Sequence, residues 1–423
     1  MNDTIMQKYG RDFVLFAGLF ALIVGIFYSQ GSAYTSRMLV EAACYAIIAL
    51  GLTIQWGYAG LFNIGIMGFI AAGSFMTVFV SFPINDRFWN SAGPGMLVQP
   101  IITLLIGIGL IVGLRRMEKI PKGLRTFLSI IIFAVTYLLF VAGIDPAAKL
   151  IENEAGFIGG LGLPVFVGWI AAGIVAGLIA WFVGKICLGL RTDYLAIATL
   201  GIAQIIKTFL KNADWLTNGT LTVSPLPWPV PKPSDGNFTE ARSIYFAMTA
   251  VFVIVIYMLL ERAYHAPWGR MMRAIRDNEE AASSMGKNVN KRRLEIFILG
   301  SILMGIGGAM LITFTGLFDP SGFIDLNHTF LIWVMVILGG TGNNRGAILG
   351  AILVYIIWVM SEPMALWMFD LVRVYGLDWF GWHAPGDLDS RALQMRVFVI
   401  GMTIILVLRL MPNGMLPERI RQD

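Results

Sequence analysis

The sequence predicts an all-α polytopic membrane protein of about ten to twelve transmembrane helices, some short or broken, and three observations carry that expectation. Hydrophobic residues make up 57% of the 423 and charged residues only 13%, against about 25% charged in a soluble domain. A soluble fold of this length would need charged surface over roughly two or three domains, and the chain has too few charges to cover it. The apolar residues fall in long unbroken runs, not in the alternation of a membrane β-barrel. The 47 glycines and 22 methionines suit helices packed closely in lipid. A soluble enzyme and a disordered chain are therefore excluded, a β-barrel is not expected, and 1–423 reads as a single transmembrane domain.

A span takes about 20 apolar residues. The runs place spans near 12–28, 38–56, 61–82, 97–114, 124–144, 164–184, 193–211, 243–261, 294–316, 328–340, 346–361 and 393–411. Gly31-Ser32-Ala33 after the first run has some likeness to a signal-cleavage site, but with so many later spans a retained helix is expected. The short pair at 328–361 is divided by Gly339-Gly340-Thr341-Gly342-Asn343-Asn344-Arg345-Gly346. It reads as two short helices, a re-entrant pair or one broken helix.

Charge selects the topology, because Lys and Arg stay on the cytoplasmic side. With the N-terminus (Lys8, Arg11) inside, three basic loops fall inside. They are 115–125 (Arg115, Arg116, Lys119, Lys122, Arg125), 185–192 (Lys185, Arg191) and 262–293, which holds eight Lys/Arg. The acid-rich loops 145–163 and 317–327 fall outside. Segment 362–391 carries Glu362, Asp370, Asp378, Asp387 and Asp389 against Arg373 and Arg391, and it falls outside only if 328–361 crosses twice. A double crossing with both termini cytoplasmic is expected. Two outside loops stand out. Pro225, Pro227, Pro229, Pro231 and Pro233 alternate, which predicts stiff polyproline II, either a surface for an outside partner or a spacer. Trp367, Trp379 and Trp382 in 362–391 predict a short interfacial helix.

Several chemistries have no signature. There is no G-x-x-x-x-G-K-[ST] and no G-x-G-x-x-G after a strand, so the chain is not expected to bind ATP itself. His265, His328 and His383 are scattered, and Cys44 and Cys187 lie in or beside apolar runs, so neither a metal nor a disulfide is expected. Glu41 is the one clear carboxylate well inside a span, a thin basis for a proton relay in an ion-coupled secondary transporter.

The most informative segment is 262–293, the most polar stretch, between two strong spans. In Asp277-Asn278-Glu279-Glu280-Ala281-Ala282-Ser283-Ser284-Met285-Gly286, Asp277 reads as a helix cap, with Glu280 three residues on completing a capping box. The acids suit the first turn, Ala281 and Ala282 favour helix, and Gly286 can close it in a left-handed conformation. So short a helix is marginal alone in water and is expected to dock on something. An ordinary positive-inside loop would explain the arginines but not the compact capped helix.

This segment resembles the coupling loop of ABC-importer permeases, and more specifically branched-chain amino acid ABC-transporter permeases of the LivM type. Further segments carry the resemblance: Gly51-Leu52-Thr53-Ile54-Gln55-Trp56-Gly57-Tyr58-Ala59-Gly60-Leu61-Phe62-Asn63-Ile64-Gly65, Arg191 to Gly201, Leu338-Gly339-Gly340-Thr341-Gly342, and Met411-Pro412-Asn413-Gly414. Together they span about 38–82 and 157–415. Residues 96–150 stand apart from the family pattern as an added hairpin of two spans. Leu216 to Leu221 matches a family stretch only in part, and Gln204 and Lys207 stand where the family commonly has Glu and Arg.

The resemblance implies a permease subunit of an importer in the bacterial inner membrane, not itself an enzyme. Its implied partners are a second homologous permease, two cytoplasmic ATPase subunits that bind the ATP, and an extracytoplasmic binding protein; no nucleic acid is implied. It implies ATPase contact at Asp277, Asn278, Glu279, Glu280, Ala281, Ala282 and Gly286. Arg273 and Arg276 either pair with acids of that subunit or simply obey the positive-inside rule. Branched-chain amino acids are the implied cargo, with urea or short-chain amides as rivals within the family. A zwitterion needs polar partners along its path. Gln55, Asn63, Thr199, Gln204 and Lys207 are candidates, although interhelical hydrogen bonding explains such residues equally and Lys207 can snorkel to an interface.

Overall fold

The computed structural model describes residues 2–117, 120–230, 238–380, 386 and 388–418. Its elements run α1 (Asn2–Gln30), α2 (Ser32–Thr53), a π-helical turn Ile54–Tyr58, α3 (Ile66–Ser81), α4 (Asp86–Trp89), α5 (Gly93–Arg116), α6 (Lys122–Glu154), α7 (Val165–Cys187) and α8 (Thr192–Asn212). There follow α9 (Asp214–Thr217), α10 (Phe238–His265), α11 (Pro267–Asp277), α12 (Glu279–Ser284), α13 (Val289–Thr315), α14 (Phe330–Gly339), α15 (Asn344–Phe380) and α16 (Leu388–Leu410). Among the described residues ten helices are long and apolar enough to cross a membrane, and two shorter apolar helices, Ile66–Ser81 and Asn327–Gly339, accompany them. The chain is an all-α multi-pass membrane protein.

The core is α2, nearly all of it buried, wrapped by α13, α15, α10 and α14, with α3 packed behind on α13 and α7. Lipid offers no hydrophobic drive between helices, so close backbone approach through small residues does the work. A methyl at Gly51 would meet the Gly300 carbonyl at 2.6 Å, and one at Gly73 would meet the Gly305 backbone at 2.6 Å. Gly65 and Gly68 lie as closely on Thr199 and Ala203 of α8. The hairpin α5–α6 is the opposite case, with both helices packed mainly on each other and scarcely buried.

Contacts define two ends of the bundle. At one end Asp12 pairs with Arg345, and Gly57, Arg276, Gly342 and Glu418 meet. At the other, Val223 pairs with Phe318, Ile84 with Gly159, and Arg242 reaches the Ala33 carbonyl. The first end carries the basic segments and is called here the basic end. The chain runs from Phe318 at the far end through α14 to a tight turn at the basic end, then back along α15. Gly339 lies against Gly346, and Gly350 against the Met335 carbonyl, so these are two antiparallel helices and not one broken one.

Three expectations need correction. The span at 61–82 starts only at Ile66, because Gly60 is left-handed (φ 65°) and the Asn63 side chain accepts from the Gly65 amide at 2.9 Å. That local bond competes with helix. Instead of a loop with a short interfacial helix after 361, α15 continues to Phe380 through Pro363. Good helix formers flank that proline, and the missing amide removes one bond without ending the helix. The proline segment is neither free spacer nor projecting surface over its described part. The Leu226 amide bonds the Gly316 carbonyl at 3.0 Å, and the Trp228 ring lies 5.6 Å from Phe314. Pro231, Pro233, Trp382, His383 and Asp387 lie outside the described residues.

Candidate coupling site at the basic end

The connection between α10 and α13 folds as two helices. Pro267 opens α11, where its fixed φ is suited to a first turn. Trp268, Met271, Met272 and Ile275 then recur at helical spacing, and Met272 and Ile275 are buried. The chain breaks at Asn278 (φ −155°), whose side chain accepts from the Ala281 amide at 2.9 Å. The cap of α12 is therefore Asn278, one residue beyond the expected Asp277. A cap residue needs extended backbone, whereas Asp277 is the last helical residue of α11 and pairs with Arg276 at 3.1 Å. The capping box is displaced accordingly, with Ala281 and not Glu280 in its third position.

Gly286 closes α12 at φ 73°. Its amide bonds the Ser283 carbonyl at 2.9 Å and the Lys287 amide bonds Ala282 at 3.4 Å, the paired bonds of a glycine-terminated helix. No neighbour crowds Gly286, so its backbone angle, not space, calls for glycine. In α12 Ala282 is buried, while Glu279, Glu280, Ala281, Ser283 and Ser284 face outward, followed by an exposed Met285. Arg293 of α13 pairs with Glu279 at 3.0 Å.

Arg276 ties this pair of helices to the bundle. Its guanidinium donates to the Gly57 carbonyl and pairs with Glu418 at 2.8 Å. Burial alone would lower its pKa, but the hydrogen bond and charge of Glu418 outweigh burial and hold it above the ordinary range. Glu418 also accepts from Tyr264 at 2.8 Å, and Arg273 lies 4.1 Å over the Tyr264 ring. The segment 411–418 straps the turn after α14: Met415 and Leu416 amides bond Leu338 and Gly339 carbonyls at 2.7 and 2.9 Å, and Asn343 reaches back to Leu416 at 3.2 Å. Tyr58 donates to Asn344 at 2.8 Å, and Asn344 donates to Glu261 at 3.0 Å. Arg276 thus touches the π-helical end of α2 and the strap from the helix that precedes α12.

The residues singled out in the spans separate into two groups. Gln55 donates to the Phe297 carbonyl (2.8 Å) and to Ser301 (3.1 Å), and accepts from Asn63 (2.9 Å). Thr199 accepts from the Ile64 amide at 3.3 Å and donates to Ala196 at 2.9 Å. Lys207 is buried and donates to the Phe323 carbonyl at 3.2 Å. Gln204 alone of the five is exposed, on the face of α8 that also presents Thr208 and Lys211. Glu41 is buried and accepts from Tyr355 and, at 3.1 Å, from Arg37. Among the described residues no group of His, Cys, Asp and Glu could hold a metal ion, and both cysteines are free and buried.

Sequence reasoning did not anticipate Gly57, Tyr58, Tyr264, Glu261, Asn344 and Glu418 as parts of this site. One signal was present: the spacing of apolar residues after Pro267 marks α11. Nothing local marks Glu418, whose partners lie far away in sequence.

Comparison with known proteins agrees with this architecture. The family described as "Branched-chain amino acid transport system / permease component" matches residues 34–147 and 95–408. A probable branched-chain amino acid transport permease protein LivM of Methanocaldococcus jannaschii is 24% identical over 398 residues, covering 91% of this chain and 93% of that protein. The LivM permease of the high-affinity branched-chain amino acid system of Salmonella typhimurium is 27% identical over 375 residues (84% and 68%), and its LivH permease 24% over 243 (55% and 72%). No solved structure matches. With the family match running across α2 to α16, the chain belongs to the family of branched-chain amino acid transport permease components.

Proposed function

We propose that this chain is one permease subunit of an ATP-driven importer for branched-chain, hydrophobic amino acids in the bacterial inner membrane, forming half of the pathway beside a second homologous permease. Two cytoplasmic ATPase subunits bind the ATP, and an extracytoplasmic binding protein delivers the cargo. The observation that carries this reading is α12: a capped helix of six residues, exposed on its polar face and fastened at both ends. Such a helix is too short to persist by itself, and its exposed residues Glu280, Ala281, Ser284 and Met285 suit a docking partner.

The mechanism follows from the wiring. A push on α12 passes to α11 through the single residue Asn278 and to α13 through Glu279–Arg293. From α11 it reaches α2 at the Gly57 carbonyl and the α14–α15 turn through Glu418 and the strap. Elements held by such discrete contacts move as rigid bodies between two arrangements. Asp277, Asn278, Glu279, Glu280, Ala281, Ala282 and Gly286 form the ATPase contact, while Arg273 and Arg276 serve it from behind by holding α11. For the path, the internal bonds of Gln55, Asn63, Thr199 and Lys207 leave Gln204 and its face of α8 as the polar surface offered to cargo or to the second permease.

The test is uptake by the reconstituted importer carrying Glu280→Lys or Gly286→Pro. Uptake is expected to vanish while the variants insert and assemble with the second permease. Normal uptake by both would overturn the coupling role. Uptake of leucine, isoleucine and valine against urea and acetamide, with the cognate binding protein, tests the cargo.

A further inference from the structure

We propose that the basic end of the α5–α6 hairpin holds a binding site for an anionic phospholipid, with Arg115 and Arg125 on the phosphate and the apolar walls of the two helices on an acyl chain. The observation is a cleft of about 560 Å³ between the helices. Its upper limit is set where α5 and α6 touch: a methyl on Gly107 would collide with Thr136, and one on Gly143 would meet the Pro100 ring at 3.4 Å. Toward the basic end the helices part. Ile111, Ile130 and Phe133 line the space, and the cleft ends at Arg115 and Arg125, where the Arg125 guanidinium donates to the Arg115 carbonyl at 3.2 Å.

The ligand class follows from the chemistry of these walls. The lining residues of α6 from 125 to 133 span about 12 Å along the helix at 1.5 Å per residue, about the depth from headgroups into the upper acyl region. Thr126 and Ser129 also line it, but their hydroxyls donate to the carbonyls four residues back, at 3.0 and 2.8 Å. Donors for an anion must therefore come from the guanidiniums. Arg125 uses one of its five N–H groups on the Arg115 carbonyl, and no described carboxylate pairs with either arginine. Five cations and one acid, Glu118, occupy 115–125. A basic pocket between spans at the cytoplasmic surface matches a phosphate head with chains lying in the membrane, and the two helices are scarcely buried by the rest of the chain.

The site is separable from diffuse attraction by equal removal of charge. The full-length chain, assembled with its partner subunits, is extracted from bilayers of phosphatidylethanolamine and phosphatidylglycerol, and the phospholipid retained is identified by native mass spectrometry. Arg115→Gln with Arg125→Gln is expected to lower retained phosphatidylglycerol about tenfold, and Ser129→Phe, which fills the cleft without changing charge, to do the same. Arg116→Gln with Lys122→Gln, which removes the same charge beside the cleft, should stay within about twofold of the parent. Equal losses from the two charge pairs, retention unchanged by Ser129→Phe, or equal retention of the two lipids in the parent would each overturn the site.

Discussion

The segments 115–125 and 262–293 are both basic, both lie at the same end of the bundle, and both satisfy the same topology rule, yet they are built in opposite ways. In the second, charge is engaged within the chain: Arg276 on Glu418 and Gly57, Arg292 on Glu295, Arg293 on Glu279, Arg273 over Tyr264. In the first, Arg125 finds only a backbone carbonyl and no described carboxylate answers the arginines. The rule that places cations inside treats both segments alike, whereas the contacts separate one whose cations are paired within the chain from one whose arginines meet no described carboxylate.

That contrast can be broken most severely where the coupling segment meets the core. A methyl on Gly57 would run into the backbone of Gly342, so Gly57→Ala should cost about 3 kcal/mol or more by overpacking. The expected result is a strongly lowered melting temperature in detergent; a parent-like melt would show that the seal is loose. Next comes the partly buried ion pair. Arg276→Gln and Glu418→Gln should each cost on the order of 2–3 kcal/mol, below the ~3–5 of a fully buried pair. Their combination should cost less than the sum by at least about 1 kcal/mol, as for partners in contact. In the assembled importer both should cut uptake far more than ATP hydrolysis; additive losses, or uptake falling only in step with hydrolysis, would remove Arg276 from the linkage.

Smaller effects sharpen the same comparison. Asn278→Ala should weaken α12 by about 1 kcal/mol, and Asp277→Ala by less than about 0.5, read as faster hydrogen exchange of the Ala281 amide. The reverse order would restore Asp277 as the cap. The smallest effect belongs to the hairpin: Arg115→Gln with Arg125→Gln should change thermal stability by no more than about 0.5 kcal/mol and leave uptake intact. A large loss of uptake would erase the distinction between the two segments.

Much of this is legible in the sequence. Uninterrupted apolar runs mark spans because every backbone group in lipid must bond within its own helix, and Gly286 marks a helix end because few residues accept its backbone angle. The fold-back of α14 on α15 accords with the two-helix reading of 328–361, while the outside placement of the acids of 362–391 rests on charge alone. What escaped was of three kinds. The cap moved from Asp277 to Asn278 because both residue types cap well, and the choice depends on where α11 stops. The Glu418 contacts escaped because they join segments remote in sequence, where no periodicity carries information. Gln55 and Asn63 show a third case: polar residues in spans look alike in sequence whether they bond each other or face a path.

The strap at 411–418 has a consequence in the order of synthesis. It is translated after every element it binds, so the Leu338 and Gly339 carbonyls, the Asn343 amide and Arg276 all enter the membrane or its surface before their partners exist. The basic end therefore cannot close until the ribosome has passed residue 418. A message that stops short of that point yields a chain in which the bonds from the strap to Leu338, Gly339, Asn343 and Arg276 cannot form.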